Sequence, residues 1–299
     1  MNKLAKHQVE QVGKLLTGFC IAIVLAVVVS LIVMVSQRGL STFVVDGVDF
    51  FGFVAGTVWN PHLLDASGLP TAGALPMIAG SFSVTLLACA IVVPFAIGSA
   101  VFTVEVNPRF GKRVFRPALE LLVGIPSVVY GLVGLTVVVP WIRAVAGGTG
   151  YGILAGAFVL TVMILPEVTS LTIDALEAVP VSYRMSSAAL GGTRWQNTWH
   201  IVLKAAMPGI LTAVILGMAR AFGEALAVQM VIGNAPTMPT SLTTPAATLT
   251  SVLTTSMGNE PFGTVYNDVL WSLALMLLCM SLLFILIVHV IGRRSAVKE

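Results

Sequence analysis

The stretch MPGILTAVILGMARAFGEALAVQMVI (residues 207–232) decides how many times this 299-residue chain crosses a membrane. A helix needs about 20 mainly apolar residues to span the hydrocarbon core of a bilayer. The stretch is long enough and rich in Leu, Ile, Val, Ala and Met, yet Arg220 and Glu224 interrupt it. Read as a loop, it leaves five spans and puts the two termini on opposite sides. Read as a span, it is the fifth of six. Pro208 suits a first helical turn, so the reading adopted is a helix near 207–232.

The other five spans lie in charge-free gaps at 15–37, 66–104, 121–142, 144–166 and 269–292. The second gap is too long for one helix, and its start, SGLPTAG (67–73), reads as a loop. The spans are therefore placed near 15–36, 78–103, 119–140, 151–173, 207–232 and 269–291. A signal-peptide core is about 7–15 residues. The first apolar run is longer and ends at Ser36-Gln37-Arg38, so it reads as a retained anchor.

Composition agrees. Apolar residues make up 57% of the chain and charged residues 10%, against about 25% charged in a soluble domain. The mean hydropathy is +0.97. This excludes a cytosolic enzyme, a disordered chain and a nucleic-acid binder, and leaves an all-α, multi-pass membrane protein. Cys20, Cys89 and Cys279 all sit in apolar stretches, a pattern of membrane packing rather than of disulfides or metal ligands.

The placement of Lys and Arg orients the spans. Of the 16 such residues, thirteen fall in the N-terminal tail, the second loop, the fourth loop and the C-terminal tail. The alternate side holds Arg38 and Arg143, and Arg220 lies within a span. Both termini are thus expected in the cytoplasm, with tails at 1–14 and 293–299 flanking a six-span membrane domain at 15–292. The opposite side then has an acidic, aromatic first loop and a Thr- and Pro-rich loop at 233–268 that lacks Lys and Arg. Such loops cap a cavity, meet an external partner or serve as solvated connectors.

A charge at the bilayer centre costs about 2.5–3.5 kcal/mol on insertion scales. Arg220 must therefore face protein or water. On an unbroken helix Glu224 sits one turn on, about 6 Å along the axis, and the two can pair. Arg before Glu is the weaker order for simple helix stabilisation. One reading is a path for an anion: the Arg220 fork suits an oxyanion, and Glu224 holds it when the path is empty. The other is a structural pair that locks helices or subunits. Glu167, after Pro166 in the fourth span, is either a second path residue or a headgroup-level carboxylate.

The longest cytoplasmic loop, 174–206, reads as a short helix, a Gly191-Gly192 turn and a lead-in helix capped by Thr193, with Ser182 as the first helix's N-cap. It is either a docking element for a protein partner or an interfacial helix on lipid. The chain has no G-x-x-x-x-G-K-[ST] phosphate loop, H-E-x-x-H helix or G-x-S-x-G elbow.

Four stretches carry a family resemblance: WNP (59–61) with GALPMIAG (73–80), ELLVGIPSVVYGL (120–132), AALGGTRW (188–195), and ARAFGEALAV (219–228) followed by Gly233-Asn234. The chain resembles the integral-membrane permeases of ABC importers, and among them the phosphate-type permeases of the PstC family rather than the sister PstA family. The resemblance implies a type I importer permease fold with six transmembrane helices. It implies pairing with a PstA-like permease, two copies of a PstB-like ATPase that bind ATP and Mg, and an extracytoplasmic PstS-like phosphate-binding protein, in a prokaryotic plasma membrane. No cofactor is then expected in this chain and no catalysis of its own. Arg220 and Glu224 match the family's charged pair, and Glu167, Ser127 and Asn234 are further candidates for the path or its gate. The 174–206 loop matches the family's coupling helix, so Ser187, Ala188, Ala189, Gly191 and Arg194 are expected at the ATPase. Met185 stands where the family has Glu, Ser186-Ser187 where it has Ala-Ala, and Lys204 where it has Pro.

Overall fold

The computed structural model describes residues 3–64 and 68–295. Asp65 and the end of the expected C-terminal tail lie outside them. Fourteen helices and one two-stranded antiparallel hairpin make up the described residues: α1 (Lys3–Val44), α2 (Phe50–Ala55), β1 (Trp59–Leu64), β2 (Pro70–Ala72), α3 (Leu75–Val101), α4 (Pro108–Phe110), α5 (Arg116–Val123), α6 (Ser127–Val133), α7 (Val139–Ala146), α8 (Ile153–Glu177), α9 (Val181–Ala189), α10 (Arg194–Gln196), α11 (Leu203–Gly223), α12 (Leu226–Ile232), α13 (Leu249–Ser256) and α14 (Val265–Ser295). Four π-helical turns join several of them.

Six helical segments among the described residues are long and apolar enough to cross a membrane: Gln11–Val44, Leu75–Val106, Ser127–Ala146, Ile153–Glu177, Arg194–Gly223 and Val265–Ile287. Two differ in kind from the sequence expectation. The third begins at Ser127, not near 119, because the helix breaks at Gly124-Ile125-Pro126. A residue before proline is pushed out of the α region, and nothing in a charge-free gap reveals that. The fifth ends at Gly223 instead of running to 232, because Glu224 and Ala225 leave the helix. Pro208 lies inside α11, not in its first turn.

Helix α8 is the centre of the bundle. It packs on α3, α11 and α12, and its Ala157, Leu160, Met163, Ile164 and Val168 fill the main core with Val84, Ala88 and Val92 of α3. Helix α1 leans on α14, and its apolar surface is otherwise exposed, as a lipid-facing helix requires. At Gly39 a Cβ would come within 2.7 Å of the Leu275 Cβ. The 233–264 segment is more than a solvated connector. Ala246, Ala247, Thr248, Leu249, Thr250, Ser251 and Val252 are all buried, and Ser81 of α3 accepts a hydrogen bond from the Leu249 N–H at 3.0 Å.

Helices α8 and α11 run antiparallel and close. A Cβ at Gly209 would meet the Ala175 Cβ at 2.6 Å, and one at Gly217 would meet Val168 Cγ2 at 2.3 Å. With buried Ala213 between them, these form the small-residue spacing that lets membrane helices approach. Gly217→Val should force the helices apart and cost about 1–3 kcal/mol. Thermal unfolding in detergent should show the loss, and Val168→Ala in the same chain should recover part of it.

Candidate functional site

The α8–α11 contact sets the register of the intramembrane charges. About one turn beyond Gly217, Arg220 Nη1 donates to Glu167 Oε2 at 2.6 Å. The two side chains keep 37% and 27% of their accessible surface, so the pair is neither sealed in the core nor fully wetted. Glu167 stands ten residues before Glu177, about 15 Å along the axis. It therefore lies within the fourth apolar helix, about three turns before its end. The expected Arg220–Glu224 pair does not form, because the helix that would have stacked them ends at Gly223.

Glu224 instead serves the break. Its backbone is extended (φ −70°, ψ 122°), which turns the chain out of α11. Its Oε1 accepts from the Ala227 N–H at 3.0 Å, and its carbonyl accepts from Thr250 Oγ1 at 2.9 Å. An acidic side chain over a helix start satisfies free N–H groups and complements the dipole. Freed backbone at membrane depth survives only where it is buried in protein or lines a cavity. Thr250, brought in by α13, supplies one of the missing partners.

The second break lies alongside. Tyr130 donates its hydroxyl to the Leu122 carbonyl at 2.9 Å, bridging the Gly124–Pro126 interruption, and it lies within electrostatic reach of Arg220. Helix α6 presses on α12 where a Cβ at Gly131 would meet Met230 Sδ at 2.7 Å and the Ala227 Cα at 3.0 Å. A groove of about 610 Å³ opens here, lined by Val128, Gln229, Met230, Asn234 and Tyr151 among others. Asn234 is on this groove, with φ +52° and its amide donating to the Gln229 carbonyl. Ser127 opens α6 and is half-buried. Sequence reading missed Tyr130, Gln229 and Thr250. Tyr130 lay within a quoted motif, but only the fold shows that it spans a break. Among the described residues no group of three or more His, Cys, Asp or Glu side chains is placed to hold a metal.

At the other end of α8, helix α9 projects with its outer surface bare. Val181, Tyr183, Met185 and Leu190 are exposed, as are Ala188, Ala189, Gly191 and Arg194, while Ser187 is half-buried. Pro180, not Ser182, occupies the N-cap position, and no side chain caps there. The C-terminus closes with Gly191 at φ +79°, its N–H donating to the Ala188 carbonyl and that of Gly192 to Ser187. This is the paired-bond ending that glycine favours. Thr193 and Gln196 then form a reciprocal cap on α10, and Trp195 stacks on Trp199 with centroids 5.5 Å apart. Arg116 reaches Asp174 at 2.7 Å and Glu177 at 3.1 Å, fastening the 107–116 segment to the end of α8. Burial by itself would lower its pKa, but these two carboxylates outweigh that and raise it.

The family model of the binding-protein-dependent transport system inner membrane component matches residues 92–297. The probable ABC transporter permease protein YqgH of Bacillus subtilis is 47% identical over 293 residues, covering 97% of this chain and 94% of that protein. The phosphate transport system permease proteins PstC of Mesorhizobium japonicum and Xylella fastidiosa are 35% and 33% identical. Those matches cover 84% and 96% of this chain, and 79% and 91% of the relatives. Among solved structures, the MetNI methionine ABC transporter in an inward-facing conformation matches with a TM-score of 0.56 over 75% of this chain and 94% of that one, at 20% identity, a likeness of fold. Matched over more than half its length by the family model, and nearly end to end by such relatives, the chain belongs to the inner-membrane permease components of binding-protein-dependent ABC importers.

Proposed function

We propose that this permease subunit forms half of the translocation path of an ATP-driven importer of inorganic phosphate. The observation that carries the reading is Arg220, held by Glu167 in the last turn of α11, where that helix breaks, in a chain whose relatives include proteins named PstC. Discontinuous helices with partly open backbone are how membrane transporters build polar sites. The Arg220 fork offers two parallel donors to an oxyanion. Glu167 competes for that fork, which keeps binding weak enough for release. Its carboxylate also accepts a hydrogen bond but cannot give one when ionised. Phosphate retains a proton on oxygen at neutral pH and satisfies it. Sulfate has none and is repelled, which favours phosphate over the alternative cargoes, sulfate and molybdate. Glu224 shapes the bend beside the path, and Ser127 and Asn234 line its approaches.

The partners are a PstA-like permease that completes the path, a PstB-like ATPase dimer against α9, and a PstS-like binding protein on the opposite face. ATP and Mg are bound by the ATPase chains, and this chain carries no catalytic group. It sits in the prokaryotic inner membrane with both termini cytoplasmic, as the Lys and Arg distribution favours.

Arg220→Ala should reduce labelled phosphate uptake to background while the ATPase still co-purifies with the permease. Glu167→Gln should retain uptake and lower the preference for phosphate over sulfate by about tenfold or more, the scale of one charge-assisted hydrogen bond. Wild-type uptake in the first variant excludes the path assignment. Separately, Gly191→Val places a β-branched residue at φ +79°, at a cost of about 1–2 kcal/mol. The reconstituted complex should then hydrolyse ATP with little accompanying uptake.

A further inference from the structure

The proposed function requires force applied to α9 to reach the intramembrane site, and one side chain is placed to carry it. Arg184, in the second turn of α9, spends its guanidinium on three elements at once. Nε and Nη2 both donate to Glu105 Oε1, at 3.1 and 2.9 Å. Nη1 donates to the Val179 carbonyl at 2.7 Å, and Nη2 to the Leu176 carbonyl at 3.0 Å. Glu105 belongs to the π turn Phe102–Val106 that extends α3, and Leu176 is in the last turn of α8. The side chains of Arg184 and Glu105 are only 22% and 15% exposed. A cation over the free carbonyls of a helix end is favourable, and a carboxylate against the same fork fixes its plane.

We propose that Arg184 is the positioning residue that makes α9, α8 and the end of α3 one rigid lever between the docking surface and the Glu167–Arg220 pair. Helix α9 follows α8 after only Ala178-Val179-Pro180. That short connector holds the two near each other but does not fix their angle; the fork does. Because α8 also carries Glu167, rotation of α9 moves Glu167 against Arg220. Arg116 fastens a neighbouring segment to the same helix end, through ion pairs to Asp174 and Glu177 of α8 rather than to α9. The inference rests on the importer reading, and the experiment separates the two.

In the complete reconstituted transporter, the quantity read is phosphate moved per ATP hydrolysed, which the yield of folded protein does not alter. Arg184→Ala should lower that ratio by at least about fivefold, the lower end of ordinary coupling between sites, with hydrolysis retained. If that variant does not assemble, Arg184→Lys keeps the charge without the fork, and the same fall is expected. A wild-type ratio in whichever variant assembles overturns the proposal. Spin labels at Val106→Cys and Ser182→Cys, with the native cysteines replaced, give a readout independent of cargo. Their separation should stay single and fixed with and without ATP when Arg184 is present, and broaden when it is Ala. A wild-type complex that moves no phosphate but keeps this fixed separation refutes the cargo and spares the lever; a separation that broadens with Arg184 present refutes the lever.

Discussion

An arginine cannot be left unpaired in hydrocarbon, and this constraint organises the centre of the molecule. Removing one partner of a partly buried ion pair strands the other charge where water screens it only in part. Arg220 therefore demands a carboxylate within reach, and Glu167 provides it at 2.6 Å. Delivering that carboxylate from another helix requires α8 and α11 to lie close and in a fixed register. Gly209, Ala213 and Gly217 make the approach sterically possible. The small residues and the ion pair thus favour the same register: the glycines let the helices approach, and the charges meet in that approach.

The breaks follow from the same need for polar groups at depth. A continuous helix hides its backbone and presents little but side chains. Interrupting α5–α6 at Gly124-Ile125-Pro126 and α11–α12 at Glu224-Ala225 exposes backbone groups that must then find partners. Glu224, Thr250 and Tyr130 supply them through bonds to the Ala227 N–H, the Glu224 carbonyl and the Leu122 carbonyl. Thr250 comes from the segment after Gly233, which explains why that Thr-rich stretch is folded into the bundle. Its hydroxyls serve the helices beneath it.

The α9 end is built on the opposite principle. There the apolar surface is left uncovered, with Tyr183, Met185 and Leu190 all exposed, while the polar groups beneath are tightly partnered. Arg184 and Arg116 fasten the ends of the helices near α9 to one another. Forked arginine contacts to carboxylates and helix-end carbonyls stiffen the base of this surface at little cost in side-chain freedom.

Sequence alone determined the membrane class, the six apolar segments, the glycine-turned loop capped by Thr193 and the presence of an intramembrane arginine. These are local properties: hydropathy, charge spacing and turn chemistry are carried by neighbours along the chain. It mistook Arg220's partner and the ends of the third and fifth spans. Spacing of four residues implies a shared face only if the helix is unbroken, and the break at Glu224 has no signature in an apolar run. Only the tertiary structure decided that Glu167, 53 residues away, closes on Arg220, and that Arg184 ties α9 to α8 and Glu105. Such contacts depend on how helices cross, and crossing is set by the packing of small residues on two distant segments at once.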